Sequence, residues 1–190
     1  MDRVVSILCG TGHRPDKMPG GWNSYLKVCK PIEDLVVQHL VNVHKRYQLE
    51  AVMSGMAAGW DTILARATIR ARMQVPIKLY AIVPCHGQAS KWSSFHRDVY
   101  QDILDHADSV KFVYNGTYTQ NPACMWDRNK YMVEGSGAIF CYFDDLPYGT
   151  LFAEKIQVPP GKGGTRHCLK YAHDYAAKMG MSMPMFNYYK

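Results

Sequence analysis

The sequence predicts a doubly wound α/β protein with a mostly parallel sheet of five or six strands and helices on both faces. Short apolar runs alternate with segments of helical periodicity along the chain, and such alternation builds a parallel sheet through right-handed crossovers. The apolar runs are continuous, as expected for central strands that are buried on both faces. Glycine-bearing loops follow the first two strands and precede the last helix, which is typical of the ligand-binding edge of such a sheet.

The length and composition are those of an ordinary globular protein. The chain has 190 residues, of which 47% are apolar and 20% charged, and this suits one domain over residues 1–190 with a normal core. No apolar run approaches the roughly 20 residues that span a bilayer, and the apolar run after Asp2 and Arg3 is too short for a signal peptide. We therefore expect a cytoplasmic protein without a membrane partner.

The cysteines and histidines do not form a metal or disulfide pattern. The six cysteines include no Cys-x-x-Cys pair, and no two of the eight histidines are four residues apart. We expect no metal and no cofactor. The formal charge of +6 fits a nucleic-acid partner, a basic pocket for a small polyanion or scattered solvated lysines. A nucleic-acid partner is not expected, because the sequence has neither a block of like charges nor an aromatic–basic motif.

The apolar pattern places the elements in order. We predict strands at Val4–Cys9, from Ala51, at Ile77–Val83, at Ser109–Val113 and at Ala138–Phe143, with Met183–Tyr189 as an added edge strand. We predict helices over Pro31–Tyr47 and Thr62–Met73, after Ser93 or Ser94, from Met125 to near Gly135 and after Thr165. Loops are expected at Asp16–Ser24 and Asp144–Pro160. The core-facing helical residues are predicted to include Ile63, Leu64, Ala67, Ala71, Phe95, Val99, Ile103, Leu104, Leu169, Ala172, Ala176 and Met179.

The loop after the second strand is the strongest candidate for a ligand site. It runs Ser54-Gly55-Met56-Ala57-Ala58-Gly59-Trp60-Asp61, and Asp61 is expected to cap the helix that begins at once. A glycine turn at a helix N-terminus directs free N–H groups and the positive end of the helix dipole at one spot, which suits a phosphate or carboxylate. The alternative is that the glycines only permit a tight turn with close packing.

Two further loops are expected at the same edge of the sheet. Gly10-Thr11-Gly12-His13-Arg14-Pro15 begins like a dinucleotide fingerprint, but Pro15 stands where the third glycine belongs and no helix opens there. Gly161-Lys162-Gly163-Gly164-Thr165 precedes the last helix and lacks the P-loop spacing. Because a doubly wound sheet gathers such loops at one edge, we expect the three loops to form one phosphate cradle.

Five short motifs occur along the chain in a fixed order. They are Thr11-Gly12-His13-Arg14-Pro15, Ser54 to Asp61, Gly87-Gln88 with Lys91-Trp92, Arg128-Asn129 with Met132-Val133, and Gly163-Gly164-Thr165. From Leu8 to about Ala177, this set resembles the YpsA-like branch of the SLOG superfamily, which also holds the DprA (SMF) and Lonely-guy (LOG) proteins. The resemblance implies a Rossmann-like fold with a site for nucleotides or nucleotide-derived ligands. Some relatives hydrolyse the N-glycosidic bond of a nucleoside monophosphate, and others sense nucleotide signals, including ADP-ribose-derived ones.

The last glycine loop departs from the hydrolase pattern of that superfamily. LOG-type members carry Gly-Gly-x-Gly-Thr-x-x-Glu, whereas here Lys162 replaces a glycine and Cys168 replaces the glutamate. Glycosidic cleavage passes through a cationic sugar that a carboxylate stabilises, so the missing glutamate argues against this chemistry. Asp127, Asp61 or Glu134 could substitute for it. Cys168 itself is interpreted as a small buried residue.

Arg14 and Arg128 are the best candidates for ligand contacts, because a guanidinium matches a phosphate in a bidentate fork. Arg128 stands where the resemblance places the LOG arginine. His13 is either a ligand or acid–base group or a loop histidine bonded to backbone. The two tryptophans of the set either stack a base or simply pack. The predicted ligand-binding residues are Gly10, Thr11, Gly12, His13, Arg14, Ser54, Gly55, Met56, Ala57, Gly59, Trp60, Asp61, Lys91, Trp92, Arg128, Asn129, Gly163, Gly164 and Thr165.

These observations lead to a functional expectation with two alternatives. We expect a sensor or sequestering protein that binds a nucleotide or nucleotide-derived small molecule, such as an ADP-ribose-type or cyclic nucleotide signal. One alternative is a LOG-type hydrolase of nucleoside monophosphates, in which Arg128 and Asp127 would be catalytic. The weaker alternative is a DprA-like nucleic-acid binder. The resemblance also implies a homodimer or a higher homo-oligomer.

Overall fold

The computed structural model of the protein describes residues 5–190, and the predicted start of the first strand at Val4 lies outside them. The strands are β1 Ile7–Gly12, β2 Ala51–Ser54, β3 Lys78–Val83, β4 Ser109–Phe112, β5 Ala138–Tyr142, β6 Gly149–Phe152 and β7 Pro184–Asn187. The helices are α1 Gly21–Val28, α2 Lys30–Tyr47, α3 Trp60–Ala71, α4 Ser94–His106, α5 Cys124–Glu134 and α6 Gly164–Lys178. Short 3-10 turns lie at Pro15–Lys17 and Ala153–Lys155.

The strands form one sheet of order β4-β3-β2-β1-β5-β7-β6. Neighbouring strands are parallel except β6, which runs antiparallel to β7. Successive residues of a strand point to opposite faces, so Leu8 packs with α2 and α3 while Cys9 packs with α5 and α6. The predicted doubly wound, mostly parallel sheet with helices on both faces is therefore confirmed.

The predicted count of five or six strands is wrong, because the sheet has seven. The unpredicted strand, β6, lies within residues 144–160, which we expected to be irregular. Its four residues begin with a glycine, and half of them are exposed, so they carry too little apolar pattern to indicate a strand. The predicted edge strand at the C-terminus exists as β7, but β6 pairs with it and moves it away from the edge.

The predicted helical faces are mostly right. All four predicted core residues of α3 are buried, as are Ile103 of α4 and Leu169 of α6. Two predicted core residues are exposed instead, since Phe95 and Met179 each retain 57% of their surface. Phe95 is in the first turn of α4 and Met179 follows the last residue of α6. Fewer neighbouring elements cover a side chain at a helix end than in its middle.

The expected loop at Asp16–Ser24 is partly helical, because α1 begins at Gly21. Gly20, at a φ of 85°, lets the chain turn into this helix. Tyr25 then packs into the main core with 1% of its surface exposed. This tertiary contact favours a helix in a segment whose glycines and prolines predict a loop.

The strand order positions a crevice at the carboxyl ends of β1 and β5. From β1 the chain moves outward through β2 and β3 to β4, and then crosses back to β5 on the other side of β1. The loops that leave β1 and β5 therefore run in opposite directions. Open α/β sheets bind their ligands at such a switch point.

Candidate functional site

The loop after β1 is held across the switch point by His13. Its backbone N–H donates to the carbonyl of Tyr142 at the end of β5, at 3.1 Å. Its Nε2 lies 2.8 Å from Oδ1 of Asp144 and 3.2 Å from the backbone N of that residue. Burial alone would raise the pKa of Asp144, but the neighbouring His13 holds it below its ordinary value. His13 thus ties the two loops together, as an anchored loop histidine.

The loop from Ser54 to Asp61 is buried along its whole length. Ser54 Oγ donates to the carbonyl of Asp61 at 2.8 Å, and the N–H of Ala57 donates to Oδ2 of Asp61 at 3.2 Å. The residue that caps α3 is Gly59 rather than Asp61, which corrects the prediction. Asp61 lies in the first turn, where a carboxylate is favoured by the helix dipole. Its side chain accepts a hydrogen bond from the loop backbone and does not cap the helix.

Arg128 reaches from α5 into this loop. Its Nη1 donates to the carbonyl of Gly55 and, at 3.1 Å, to Oδ2 of Asp61. The side chains of Arg128 and Asp61 are each 8% exposed, so the ion pair is buried. A Cβ atom on Gly55 would fall on the Arg128 guanidinium, and glycine is therefore required at that position. The Nε of Arg128 is buried and has no hydrogen-bond partner within residues 5–190.

Arg14 lies beside this pair without a carboxylate of its own. In the part of the chain that the structure describes, no acidic oxygen is within 4.0 Å of its guanidinium. Burial lowers the pKa of Arg14; Asp61 partly opposes this effect and Arg128 adds to it. Asp61 thus pairs with Arg128 and also acts on Arg14, and Asp16 adds a weaker negative charge near Arg14. The excess positive charge in a partly desolvated crevice suits an anionic ligand.

The third loop is tied to the loop after β1 by a side-chain hydrogen bond. Thr165 Oγ1 donates to the carbonyl of Gly12 at 2.8 Å, which sets the N-terminus of α6 beside the end of β1. Gly163 and Gly164 are exposed, and a Cβ atom on either would meet nothing within 4 Å. The backbone N–H groups at this helix end are therefore accessible to a ligand.

Cys168 lies below the cradle and is 2% exposed. Burial raises the pKa of its thiol to about 11, although a hydrogen bond with Thr11 partly opposes this shift. The thiol is therefore neutral at physiological pH and is a weak nucleophile. This position agrees with the interpretation of Cys168 as a small buried residue.

Several predicted site residues are either enclosed in the core or unbonded to the site arginines within the described part of the chain. Trp60 is 0% exposed and donates from Nε1 to the carbonyl of Phe140 at 3.0 Å, so it packs in the core and cannot stack a base. Lys91 is exposed, and Trp92 packs edge-on against Tyr100. Asp127 and Asn129 are half-buried on α5. Within residues 5–190, no hydrogen bond or ion pair joins the side chains of these four outer residues to either site arginine.

Three residues near the crevice are missing from the predicted set. Gln88 is bonded to the buried loop, Tyr25 lies beside Gly59, and His96 stacks on Tyr25. Gln88 belongs to one of the five motifs, so the sequence held a signal for it. Tyr25 and His96 carry no pattern that marks them, because their positions depend on how α1 and α4 pack.

Outside this site, the described residues form an apolar cavity and present no candidate metal site. A cavity of about 570 Å³ lies between α2 and the β5–β7 half of the sheet, lined mainly by apolar residues such as Phe140 and Phe186. Among residues 5–190, no group of three or more histidine, cysteine or acidic side chains could hold a metal ion. The helices of this part of the chain are also too short or too polar to cross a membrane.

Comparison with known proteins agrees with the resemblance drawn from the motifs. The sequence profile of the YpsA proteins, described as the YspA SLOG family, matches residues 8–155. A UPF0398 protein of Bacillus pumilus is 23% identical over 128 residues, which are 67% of this chain and 61% of that protein. A UPF0398 protein of Brevibacillus brevis is 26% identical over 104 residues, which are 54% of this chain and 55% of that protein.

A third similar protein is prophage-derived. The SPbeta prophage-derived protein YoqJ of Bacillus subtilis is 26% identical over 147 residues, which are 72% of this chain and 75% of that protein. The chain covers less than two thirds of the length of both UPF0398 proteins. The match to the family profile includes the first two loops of the site and Arg128, and it ends before the third loop.

Proposed function

Because the chain belongs to the YspA SLOG family, we propose that it binds a nucleotide or nucleotide-derived anion at the carboxyl edge of its sheet. Membership of this family supports the interpretation of the chain as a nucleotide-related protein with a Rossmann-like fold. We further propose that the protein acts as a sensor or sequestering protein, with an ADP-ribose-type or cyclic nucleotide signal as its ligand. Activity, ligand and partners of the whole protein are all part of this proposal.

The observation that carries the proposal is that Arg14 is partly buried and forms no ion pair with the described residues. A partly buried guanidinium without an ion pair is costly, since the nearby carboxylates of Asp61 and Asp16 compensate its desolvation only in part. Arg128 lies close enough to lower the pKa of Arg14 further, so the two cations repel one another. An anion between them would relieve both costs. A phosphate also matches the planar donors of two guanidinium groups.

The backbone around the arginines suits the same ligand. The N-terminus of α6 is open beside Gly12, and Thr165 keeps it there through its hydroxyl group. Helix N-termini bind phosphate through free N–H groups and the helix dipole. The proposed contacts are therefore Arg14, Arg128 and the backbone of Gly163 and Gly164. Trp60 is left out of the set because it has no exposed surface.

The hydrolase alternative has less support. Cys168 offers a neutral thiol where LOG-type members carry a glutamate. Asp61, a carboxylate within the cradle, is held by Arg128 and by the N–H of Ala57, which leaves it poorly placed to activate water. We therefore favour binding without cleavage, and retain Asp127 as the residue to test for turnover.

Mass spectrometry of the freshly purified protein tests the proposal first. Native spectra report a bound ligand, and mass analysis after heat release identifies it. An intact nucleotide-like molecule is the expected result. Turnover of a nucleoside monophosphate to free base and ribose phosphate, slowed by Asp127→Asn, would instead establish the hydrolase. Affinity that rises with oligonucleotide length and falls steeply with salt would indicate the nucleic-acid binder.

Arginine variants then test the position of the site. Arg14→Ala is expected to weaken nucleotide binding about tenfold or more, since hydrogen bonds to charged groups contribute about 1.5–3 kcal/mol. Arg46→Ala is the matched control, because Arg46 is exposed in the last turn of α2 and its guanidinium lies over the ring of Tyr47. Equal affinity of Arg14→Ala and the wild type would rule out this site. Self-association stays a prediction, which light scattering of the purified protein tests.

A further inference from the structure

The sheet has one uncovered end on the face of α2. The helices α2, α3 and α4 pack on the face that Leu8, Val52 and Leu79 share across β1, β2 and β3. The helices α5 and α6 pack on the opposite face, with Cys9 and Ile139. Among residues 5–190, β7 and β6 extend past α2 on its own face of the sheet and leave an open groove beside this helix.

This groove, which we call the α2 groove, has a volume of about 570 Å³. Its walls include His39 and Val43 of α2, Phe140 of β5, Phe186 of β7 and Phe152 of β6. Phe140 and Phe186 are opposite one another in the strand register, so their rings lie side by side on the same face. Pockets for small molecules have volumes of about 300–1,000 Å³ and mainly apolar walls with a few polar groups. The α2 groove therefore has the size and the lining of a small-molecule site.

The α2 groove lies away from the proposed anion site. Its lining includes Val5, which precedes β1, and the first residues of β5 and β7, Ala138 and Pro184. The groove is therefore at the amino ends of these parallel strands, whereas the glycine loops and the two site arginines are at the carboxyl ends. An occupant of the groove is thus a second ligand, and its binding does not depend on the proposed function.

His39 supplies a fixed polar group in the wall of the α2 groove. Its Nδ1 lies 2.9 Å from the hydroxyl oxygen of Tyr188, a residue that is only 2% exposed. A buried phenol O–H needs an acceptor, and within residues 5–190 this Nδ1 is the acceptor that it reaches. The hydroxyl group therefore donates to Nδ1, which leaves the proton of the neutral ring on Nε2. Nε2 forms no hydrogen bond with the described residues and is not enclosed by them, so it is a free N–H donor.

The rim of the α2 groove is positively charged. Arg46 lines the groove at the last turn of α2, and Lys155 Nζ lies 5.3 Å from the centroid of the Phe152 ring in its wall. Among the described residues, the lining contains no acidic side chain. Because no carboxylate of the lining balances these cations, the groove favours an anion over a neutral or a cationic occupant.

We propose that the α2 groove binds a straight-chain carboxylic acid, with its carboxylate on His39 Nε2 and its acyl chain along the phenylalanine rings. A carboxylate oxygen accepts the hydrogen of Nε2, which has no other acceptor in the described part of the chain. The acyl chain covers apolar surface that is otherwise in contact with water. The positive rim then adds attraction for the negative charge of the ligand.

Calorimetry with a short series of amphiphiles tests the proposal. The probes are hexanoate, octanoate and decanoate, together with octanol, which has the same chain length as octanoate and no charge. We expect the affinity to rise about tenfold for each two added methylenes, because each is removed from water. We also expect octanoate to bind about tenfold more tightly than octanol, because its hydrogen bond is to a charged group. Equal affinities for octanoate and octanol, or no binding of any acid, would overturn the proposal.

Variants then test the polar and the apolar part of the groove. His39→Phe removes the donor, and Tyr188→Phe, made together with it, removes the hydroxyl group that would lose its acceptor. The double variant is expected to bind octanoate at least tenfold more weakly, at the level of octanol, and unchanged affinity would contradict the proposed contact. Thr150→Trp fills the groove from the exposed side of β6 and is expected to weaken decanoate binding about tenfold. His106→Phe is the matched control, because His106 is exposed on α4.

The outcomes separate this proposal from the anion site. The double variant should keep the wild-type affinity for AMP, because His39 is at the other end of the strands, and thermal unfolding verifies that each variant is folded. If AMP binds and the acids do not, the groove proposal is wrong and the anion site stands; the reverse result overturns the anion site alone. A second copy of the chain is the other possible occupant. A dimer in light scattering that Phe152→Asp dissociates would make the groove an interface and overturn the carboxylic-acid site.

Discussion

Two of the three glycine loops at the carboxyl edge differ in what surrounds their glycines. In the loop from Ser54 to Asp61, a Cβ atom on Gly59 would lie 2.4 Å from the carbonyl oxygen of His13, and one on Gly55 would overlap Arg128. In the loop from Gly161 to Thr165, Gly163 and Gly164 have open space around them. The same residue type thus allows close packing in the first loop and open backbone in the second.

This difference indicates which loop is a tightly packed turn and which is suited to bind a phosphate. The loop after β2 presents little free backbone, because it is buried and its N–H and carbonyl groups bond to Asp61, Gln88 and Arg128. Its role is to position Arg128. The exposed loop before α6 leaves the N-terminus of a 15-residue helix open to a ligand. The tight-turn alternative thus describes the first loop, and the phosphate-cradle alternative suits the second.

Gly59→Ala should have the largest effect on stability. Gly59 has a φ of 100° and a ψ of −128°, a conformation that other residues rarely adopt, and its contact is with backbone that cannot move aside. We expect the free energy of unfolding to fall by about 3 kcal/mol or more. Urea unfolding measures it, with Gly137→Ala as the control, because a Cβ there meets no atom closer than 3.9 Å. Equal midpoints would show that the loop is not tightly packed.

Gly55→Ala should have the next largest effect, because the added methyl group displaces Arg128 from its buried pair with Asp61. We expect a loss of about 2 kcal/mol in the free energy of unfolding, which is typical for a methyl group forced into a packed site, together with weaker nucleotide binding. A double-mutant cycle with Arg128→Ala sharpens the test. Once the arginine side chain is absent, Gly55→Ala should cost little more, and full additivity would contradict the proposed link between the two residues.

Gly163→Ala should destabilise the protein only modestly. Its φ of 128° strains an alanine, but no neighbouring atom opposes the added methyl group and the exposed loop can relax. We expect a decrease of about 1 kcal/mol, measured by urea unfolding. A loss as large as that of Gly59→Ala would mean that this loop is as closely packed as the first.

Substitutions of Gly164 should change ligand binding while they leave the free energy of unfolding almost unchanged. It is the first residue of α6, where alanine and proline both fit, so Gly164→Ala and Gly164→Pro should each stay within about 0.5 kcal/mol of the wild type. Proline removes one backbone N–H, and alanine keeps it. If this loop holds the anion, Gly164→Pro should bind nucleoside monophosphates more weakly than Gly164→Ala in calorimetry. Equal affinities of the two variants would remove the N-terminus of α6 from the site.

The sequence predicted the first five strands, the long helices and the edge of the sheet where the loops meet, because continuous apolar runs and 3.6-residue periodicity are local signals. It missed β6, whose four residues are too few to carry a pattern, and α1, which depends on the burial of Tyr25. At the site, Arg14 and Arg128 were found from their chemistry. Tyr25 and His96 were not, because their positions depend on how α1 and α4 pack.

By itself, the sequence determined the α/β class, the family and the presence of the glycine loops, of Arg14 and of Arg128, since each of these depends on residue type and spacing along the chain. Only the tertiary structure decided that Trp60 belongs to the core, that Asp61 pairs with Arg128 and that Arg14 has no such partner. Burial and pairing are properties of the space between elements, and residues far apart in sequence create that space together. For this reason one glycine loop became a packed support and the other stayed open.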